Sequence, residues 1–84
     1  MPNGNLAYDL AAAIYSVENT NNYNYAEAYA LLLAHENDSN YRNVIKHLAV
    51  SLNNKGDRVI NAIANEMDIT RSEVTDFLNQ LEKN

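Results

Sequence analysis

The chain has no cysteine and little glycine or proline, with only 2 glycines and 1 proline in 84 residues. Without cysteine there are no disulfides, no thiolate nucleophile and no cysteine-based zinc site. The scarcity of helix breakers, together with 46% hydrophobic residues, excludes a disordered chain and favours helices around an apolar core. The longest apolar run, residues 28–34, is too short to span a bilayer, and residues 1–5 do not resemble a secretion signal. We therefore expect a cytoplasmic protein without membrane contact.

Positive charge is absent from the first 38 residues. This part contains no lysine or arginine, whereas it carries five carboxylates: Asp9, Glu18, Glu27, Glu36 and Asp38. In residues 39–84 the six basic residues are balanced by six acidic ones, so the net charge of -5 belongs to the first part. Phosphates repel such a surface, and any contact with nucleic acid is expected in the second part of the chain.

Apolar residues recur at helical spacing in five segments, and no segment has the alternation of a strand. The predicted helices cover about residues 6–17, 25–36, 40–52, 58–67 and 70–83. Asn24 is a suitable N-cap for the second helix, and Asp57 for the fourth, while Gly56 suits a left-handed C-cap after the third. We expect an all-α fold, a compact bundle of about five short helices in a single domain over residues 1–84.

The fourth and fifth helices form the stretch most informative about function, residues 63–78. Its turn is followed by Thr70-Arg71-Ser72-Glu73, a capping box in which the threonine hydroxyl and the glutamate carboxylate each accept from a free backbone N–H. Two helices that cross closely need small or apolar residues where they touch. This stretch has such residues at the required positions: Ala64, Ile69, Val74, Phe77 and Leu78. This stretch resembles the helix-turn-helix of bacterial and phage regulators, and the resemblance extends over about residues 41–83. The family usually has glycine where this chain has Asp68, a residue type that tolerates a left-handed conformation.

The resemblance implies a small DNA-binding transcriptional regulator with a tri-helical core over residues 39–84. Its fifth helix would lie in the major groove, with Arg71 reaching guanine and Asn79 reaching adenine or a phosphate. The full set of expected DNA contacts is Arg71, Ser72, Thr75, Asn79, Lys55 and Arg58. Glu73 and Asp76 on the same helix oppose phosphate, although Glu73 has its capping role. A homodimer formed through the acidic helices of residues 1–38 would double the number of contacts with double-stranded DNA.

The acidic first part supports a second hypothesis, in which the protein does not touch DNA. It would be a protein-binding module, or a phage-type inhibitor, that docks on the basic surface of a larger protein. All six tyrosines lie in the first half of the chain, and tyrosine is enriched at interfaces. The expected contact residues are Tyr23, Tyr25, Glu27 and Glu36. Tyr29 and Tyr41 fall on helical core faces and are expected at the edge of the core, with their hydroxyls in water.

Residues that carry chemistry are too scattered to indicate an enzyme. His35 and His47 lie on different helices without partners at metal-ligand spacing, and no serine has a visible histidine and acid partner. No glycine-rich phosphate loop occurs. We expect no catalysis, no cofactor and no metal.

Two arrangements in space separate the hypotheses. A DNA reader requires Lys55, Arg58 and Arg71 on one exposed surface, with the acidic helices on the opposite side. An interaction module requires Tyr23, Tyr25 and the carboxylates of the first half of the chain around an exposed apolar patch.

Overall fold

Five α-helices make up most of the protein, whose structure is a computed structural model that describes residues 5–83. They are α1 (Leu6–Asn19), α2 (Tyr25–His35), α3 (Arg42–Asn54), α4 (Asp57–Met67) and α5 (Arg71–Lys83). A single 3-10 turn, Ser39–Tyr41, precedes α3, and no strand occurs in the described range. The prediction of an all-α bundle is confirmed. The expectation drawn from residues 1–4 about a secretion signal lies outside this range.

The first helix is two residues longer than its apolar pattern predicts. Asn5 caps its start, since the Asn5 side chain accepts from the backbone N–H of Tyr8 at 3.2 Å. At the other end the Thr20 hydroxyl donates to the carbonyl of Ser16 at 2.7 Å, and the Asn19 amide donates to a carbonyl one turn back. These bonds complete the last turn, so the asparagine-rich loop begins after Asn19 and not at Glu18.

The boundaries of α2 and α3 depend on side chains just outside the helices. The Asn24 side chain accepts from the N–H of Ala26 at 3.2 Å, which confirms the predicted cap of α2. Asp38 accepts from the N–H of Asn40 through its side chain and from the N–H of Tyr41 through its carbonyl, both at 3.1 Å. This pairing produces the 3-10 turn, so the α-helix begins at Arg42, two residues later than predicted.

The junction between α3 and α4 differs from the prediction. Asp57 is the first residue of α4 and makes no capping hydrogen bond; the residue before the helix is Gly56. Gly56 has φ 91° and ψ -170°, which is a positive-φ conformation open to glycine but not the left-handed helical one. Its carbonyl accepts from the N–H groups of Val59 and Ile60 at 3.2 and 3.1 Å, and this fixes the direction of α4.

The turn between α4 and α5 has the predicted local chemistry. Asp68 adopts the left-handed conformation (φ 58°, ψ 47°), and the N–H of Ile69 donates to the carbonyl of Ala64 at 3.0 Å. The capping box is confirmed, because the N–H of Glu73 donates to the Thr70 hydroxyl at 3.1 Å and the N–H of Thr70 donates to the Glu73 carboxylate at 3.2 Å. Only three residues separate the two helices.

All five helices contribute to one apolar core, and α3 contacts each of the other four. The largest fully buried side chains are Leu10, Val17, Leu32, Leu48, Leu52, Val59, Ile63, Val74 and Leu78. Tyr29 is only 2% exposed, so it lies in the core and not at its edge as expected, with its ring edge-on to Phe77 at 5.3 Å. Tyr41 is half-buried.

Within the described range α1 packs mainly on α2 and α3, whereas α5 packs on α3 and α4. In the same range α2 packs on α4 as well as on α1 and α3. The Lys55 ammonium lies 5.9 Å from the centre of the Tyr25 ring at the start of α2. The expectation that the acidic helices lie opposite Lys55, Arg58 and Arg71 is therefore wrong for α2.

Candidate functional site

Three of the six positive charges gather around the first turn of α4. Lys55 precedes Gly56, Arg58 is the second residue of the helix, and Arg71 reaches back from α5. The Arg71 guanidinium donates to the Asp57 carboxylate at 3.0 Å and to the Asn61 amide oxygen at 3.1 Å. We call Lys55, Arg58 and Arg71 the basic cluster. The sequence predicted these residues as DNA contacts, and the structure brings Arg71, 14 positions away along the chain, to Asp57.

The start of α4 adds a partial positive charge to the basic cluster. No side chain caps this end of the helix, and the first backbone N–H groups of any α-helix lack intrahelical partners. The aligned peptide dipoles make such an end attractive to anions. Asp57 is the acidic residue of this turn, so the basic cluster and one carboxylate share the same surface.

Arg71 and Lys55 are held in place by contacts within the protein. The Arg71 and Asp57 side chains are 47% and 84% exposed, so their ion pair lies in water and is easily exchanged for another anion. The Lys55 ammonium lies 5.9 Å from the centre of the Tyr25 ring, a cation–π contact that joins the α3–α4 junction to α2. Arg58 is exposed. Arg71 is therefore directed along α4, towards Asp57 and Asn61.

The predicted contacts farther along α5 are partly occupied. The Thr75 hydroxyl lies 3.2 Å from the carbonyls of both Arg71 and Ser72, to which it donates within its own helix. The Asn79 amide oxygen accepts from the Asn53 side chain at 2.9 Å, which ties α5 to α3. Ser72 is exposed at the start of the helix. The sequence did not reveal the Asn53 contact, because nothing local links positions 26 residues apart.

The contact surface predicted around Tyr23 and Tyr25 needs correction. Tyr25 is only 5% exposed, and its hydroxyl donates to the carbonyl of Thr20 at 3.1 Å. As the first residue of α2, it closes the loop from α1 and packs edge-on against Tyr23 at 5.6 Å. Tyr23 is half-buried, and burial, with the nearby charge of Glu27, raises the pKa of its hydroxyl. Glu27 and Glu36 are exposed, as that hypothesis requires.

The structure also assembles a contact among an acid, a histidine and a serine that sequence reasoning missed. One Glu18 oxygen accepts from the Ser51 hydroxyl at 2.6 Å and lies 3.1 Å from the His47 imidazole. The hydrogen bond from Ser51, then that from His47, lowers the pKa of the Glu18 carboxyl. Because the Ser51 hydroxyl donates its hydrogen bond to the carboxylate and not to the imidazole, the imidazole does not activate it as a nucleophile. The contact connects α1 to α3.

The described part of the chain holds neither a cluster of metal ligands nor a membrane-spanning helix. Across residues 5–83, no group of three histidine and carboxylate side chains is placed to hold a metal ion. None of the helices described here is both long and apolar enough to cross a membrane. Comparison with protein-family models, curated proteins and solved structures finds no match for this chain.

Proposed function

We propose that the protein is a small DNA-binding regulator that holds duplex DNA through α4 and the start of α5. The observation that carries this proposal is the basic cluster at the start of α4, which has no side-chain cap and to which Arg71 reaches from α5. The resemblance of residues 63–78 to helix-turn-helix regulators supports the same conclusion. The left-handed Asp68 and the capping box are consistent with that resemblance.

The basic cluster provides contacts to phosphate, which position a protein on DNA without reading its sequence. Lys55, Arg58 and the backbone N–H groups that begin α4 approach one strand. Arg71 exchanges its exposed pairing with Asp57 for a phosphate oxygen. Base contacts are left to the exposed Ser72 and to the amide nitrogen of Asn79, whose oxygen alone is occupied by Asn53.

The charge balance makes binding by one copy weak and sensitive to salt. Three phosphate contacts give a slope of about -2.7 for log K against log salt concentration, or roughly a fortyfold loss over a fourfold increase in salt. Glu73 and Asp76 are exposed on α5. Their negative charges repel the phosphate backbone of the DNA from the middle of this helix. A dimer that placed two basic clusters on one duplex would about double the slope. We propose such a homodimer as the form that binds an operator.

The test is fluorescence anisotropy of a labelled duplex pool of random sequence, titrated at two salt concentrations that differ fourfold. Arg58→Ala should weaken binding and make the slope less negative by about 0.9. The matched control is Arg42→Ala, which removes the same charge from a residue beside Glu36, Asp38 and Leu81, at the other end of α5. Equal effects of the two substitutions would contradict the proposal.

A flat titration of the unmodified protein at both salt concentrations would also contradict this proposal. That result would favour the second hypothesis, an acidic protein-binding module, because this function does not depend on the basic cluster.

A further inference from the structure

The outer face of α1 is unusually apolar for a surface helix. Tyr8 and Tyr15 are 71% and 67% exposed, and they lie seven residues apart, which places them on the same side of the helix. Ala11 and Ala12, between them, are exposed as well. Single exposed apolar residues are ordinary, whereas two aromatic rings flanking small side chains form a continuous patch of the kind found at interfaces.

A cleft of about 350 Å³ lies beside this patch, between α1 and α2. Its lining residues are Asp9, Ala12, Ala13, Ser16, Tyr23, Glu27 and Leu31. Small side chains on the α1 side allow another backbone to approach closely, and Leu31 supplies apolar surface from α2. Asp9 and Glu27 are exposed, and neither forms an ion pair within the part of the chain that the structure describes.

We propose that this α1–α2 face, formed by Tyr8, Tyr15 and the cleft, docks a positively charged amphipathic helix of a partner protein. Apolar side chains of that helix would enter the cleft against Ala12 and Leu31. Its lysines or arginines would pair with the two carboxylates, Asp9 and Glu27. A helix lying along the groove between two helices uses the same ridge-and-groove packing that operates inside proteins.

Charge identifies the occupant. Neither α1 nor α2 carries a lysine or arginine, and no basic side chain of residues 5–83 pairs with Asp9 or Glu27, so these carboxylates are available to the positive charge of a partner. Two copies of this chain meeting through the same face would set carboxylates against carboxylates, which disfavours self-pairing there, so the homodimer proposed above is not formed through this face. The face also lies on α1 and α2, whereas the basic cluster surrounds the start of α4. Docking therefore does not rest on the proposed binding of DNA.

The test uses the full chain and three labelled peptides of equal length. The first is an amphipathic helix of leucine and lysine with its leucines on one face. The second has the same composition in scrambled order, and the third has glutamate in place of lysine. Fluorescence anisotropy should show saturable binding of the first peptide alone. In ¹⁵N-labelled protein, the amide shifts that change on binding should be concentrated in α1 and α2.

Paired variants locate the docking face. Asp9→Asn with Glu27→Gln should weaken binding of the basic peptide by about fivefold to tenfold, because two exposed ion pairs are lost. Glu66→Gln with Asp76→Asn makes the same change of charge on exposed residues of α4 and α5 and should leave the affinity unchanged. Tyr8→Ala with Tyr15→Ala should weaken binding without unfolding the protein, since both rings are exposed.

Three results would overturn the proposal. They are equal binding of the ordered and scrambled basic peptides, equal effects of the two charge-changing pairs, and amide shift changes centred on α4 and α5. Self-association that Tyr8→Ala with Tyr15→Ala abolishes, measured by sedimentation, would also overturn it by assigning the face to a second copy.

Discussion

Replacing Asp57 by asparagine should strengthen the binding of DNA while weakening the fold. Asp57 is 84% exposed, and its carboxylate pairs with Arg71 at 3.0 Å. In the proposed complex this carboxylate opposes binding in two ways, because it occupies Arg71 and repels an approaching phosphate. Asp57→Asn removes both effects and changes the size of the side chain very little.

The magnitude follows from the exposure of the ion pair. Exposed pairs of this kind contribute about 0.2–1 kcal/mol, so releasing Arg71 should raise DNA affinity by roughly 1.4- to fivefold. Because Arg71 already contacts phosphate in the proposed complex of the unmodified protein, the number of phosphate contacts is unchanged and the salt slope should stay at about -2.7. The same substitution removes a negative charge from the first turn of α4, which should lower the free energy of unfolding by about 0.3–1 kcal/mol.

The assay is the duplex anisotropy titration at two salt concentrations, accompanied by urea denaturation of each variant. Glu66→Gln is the control, since it removes a carboxylate that is exposed near the far end of the same helix. Tighter binding by Asp57→Asn alone is the expected result. The reasoning is refuted if the two substitutions tighten binding equally, or if Asp57→Asn leaves the affinity unchanged.

A backbone conformation, a helix cap and a contact between α1 and α3 give three further predictions. Asp68→Gly should raise the free energy of unfolding by about 0.5–1 kcal/mol in urea, because glycine adopts the left-handed conformation without strain; a decrease would contradict it. Thr70→Ala should lower it by about 1 kcal/mol through loss of the cap, and an unchanged urea midpoint would contradict that role. Ser51→Ala should raise the pKa of the Glu18 carboxyl, because the hydrogen bond from the Ser51 hydroxyl is lost. NMR titration measures this change. In the unmodified protein that pKa lies below the ordinary value of a glutamate carboxyl, 4.5, so the contribution of Glu18 to stability is complete above pH 4.5 and is lost as the pH falls through the folded pKa. An identical dependence of stability on acid pH in Ser51→Ala would disprove this.

Much of the helical architecture was predictable because it depends on neighbours in the chain. Three features depend on groups within a few positions of one another along the chain. They are the cap by Asn24, the capping box of Thr70 and Glu73, and the left-handed conformation of Asp68. The predicted helix boundaries that were wrong also depend on contacts between residues close together in the chain. Asp38 pairs with the next residues to form a 3-10 turn before α3, and the cap expected from Asp57 is replaced by the carbonyl of Gly56.

The candidate sites were only partly predictable. The sequence indicated Lys55, Arg58 and Arg71 as contacts, but not that Arg71 is held along α4 by Asp57. It assigned Tyr25 to the surface, because the apolar pattern of α2 alone does not show that the preceding loop folds over its first turn. The exposure of Tyr8 and Tyr15 was predictable from the sequence, since both lie off the apolar face of α1. Their position beside a cleft was not predictable.

By itself the sequence determined where helices form, how most of them are capped, and that negative charge is concentrated in the first part of the chain. These properties depend on hydrogen bonds and side-chain spacing within about one helical turn. The tertiary structure alone decided that Glu18 meets Ser51, that Asn53 meets Asn79 and that Arg71 meets Asp57, across separations of 33, 26 and 14 residues. Such contacts depend on how the helices pack around α3, and no periodicity along the chain encodes that packing.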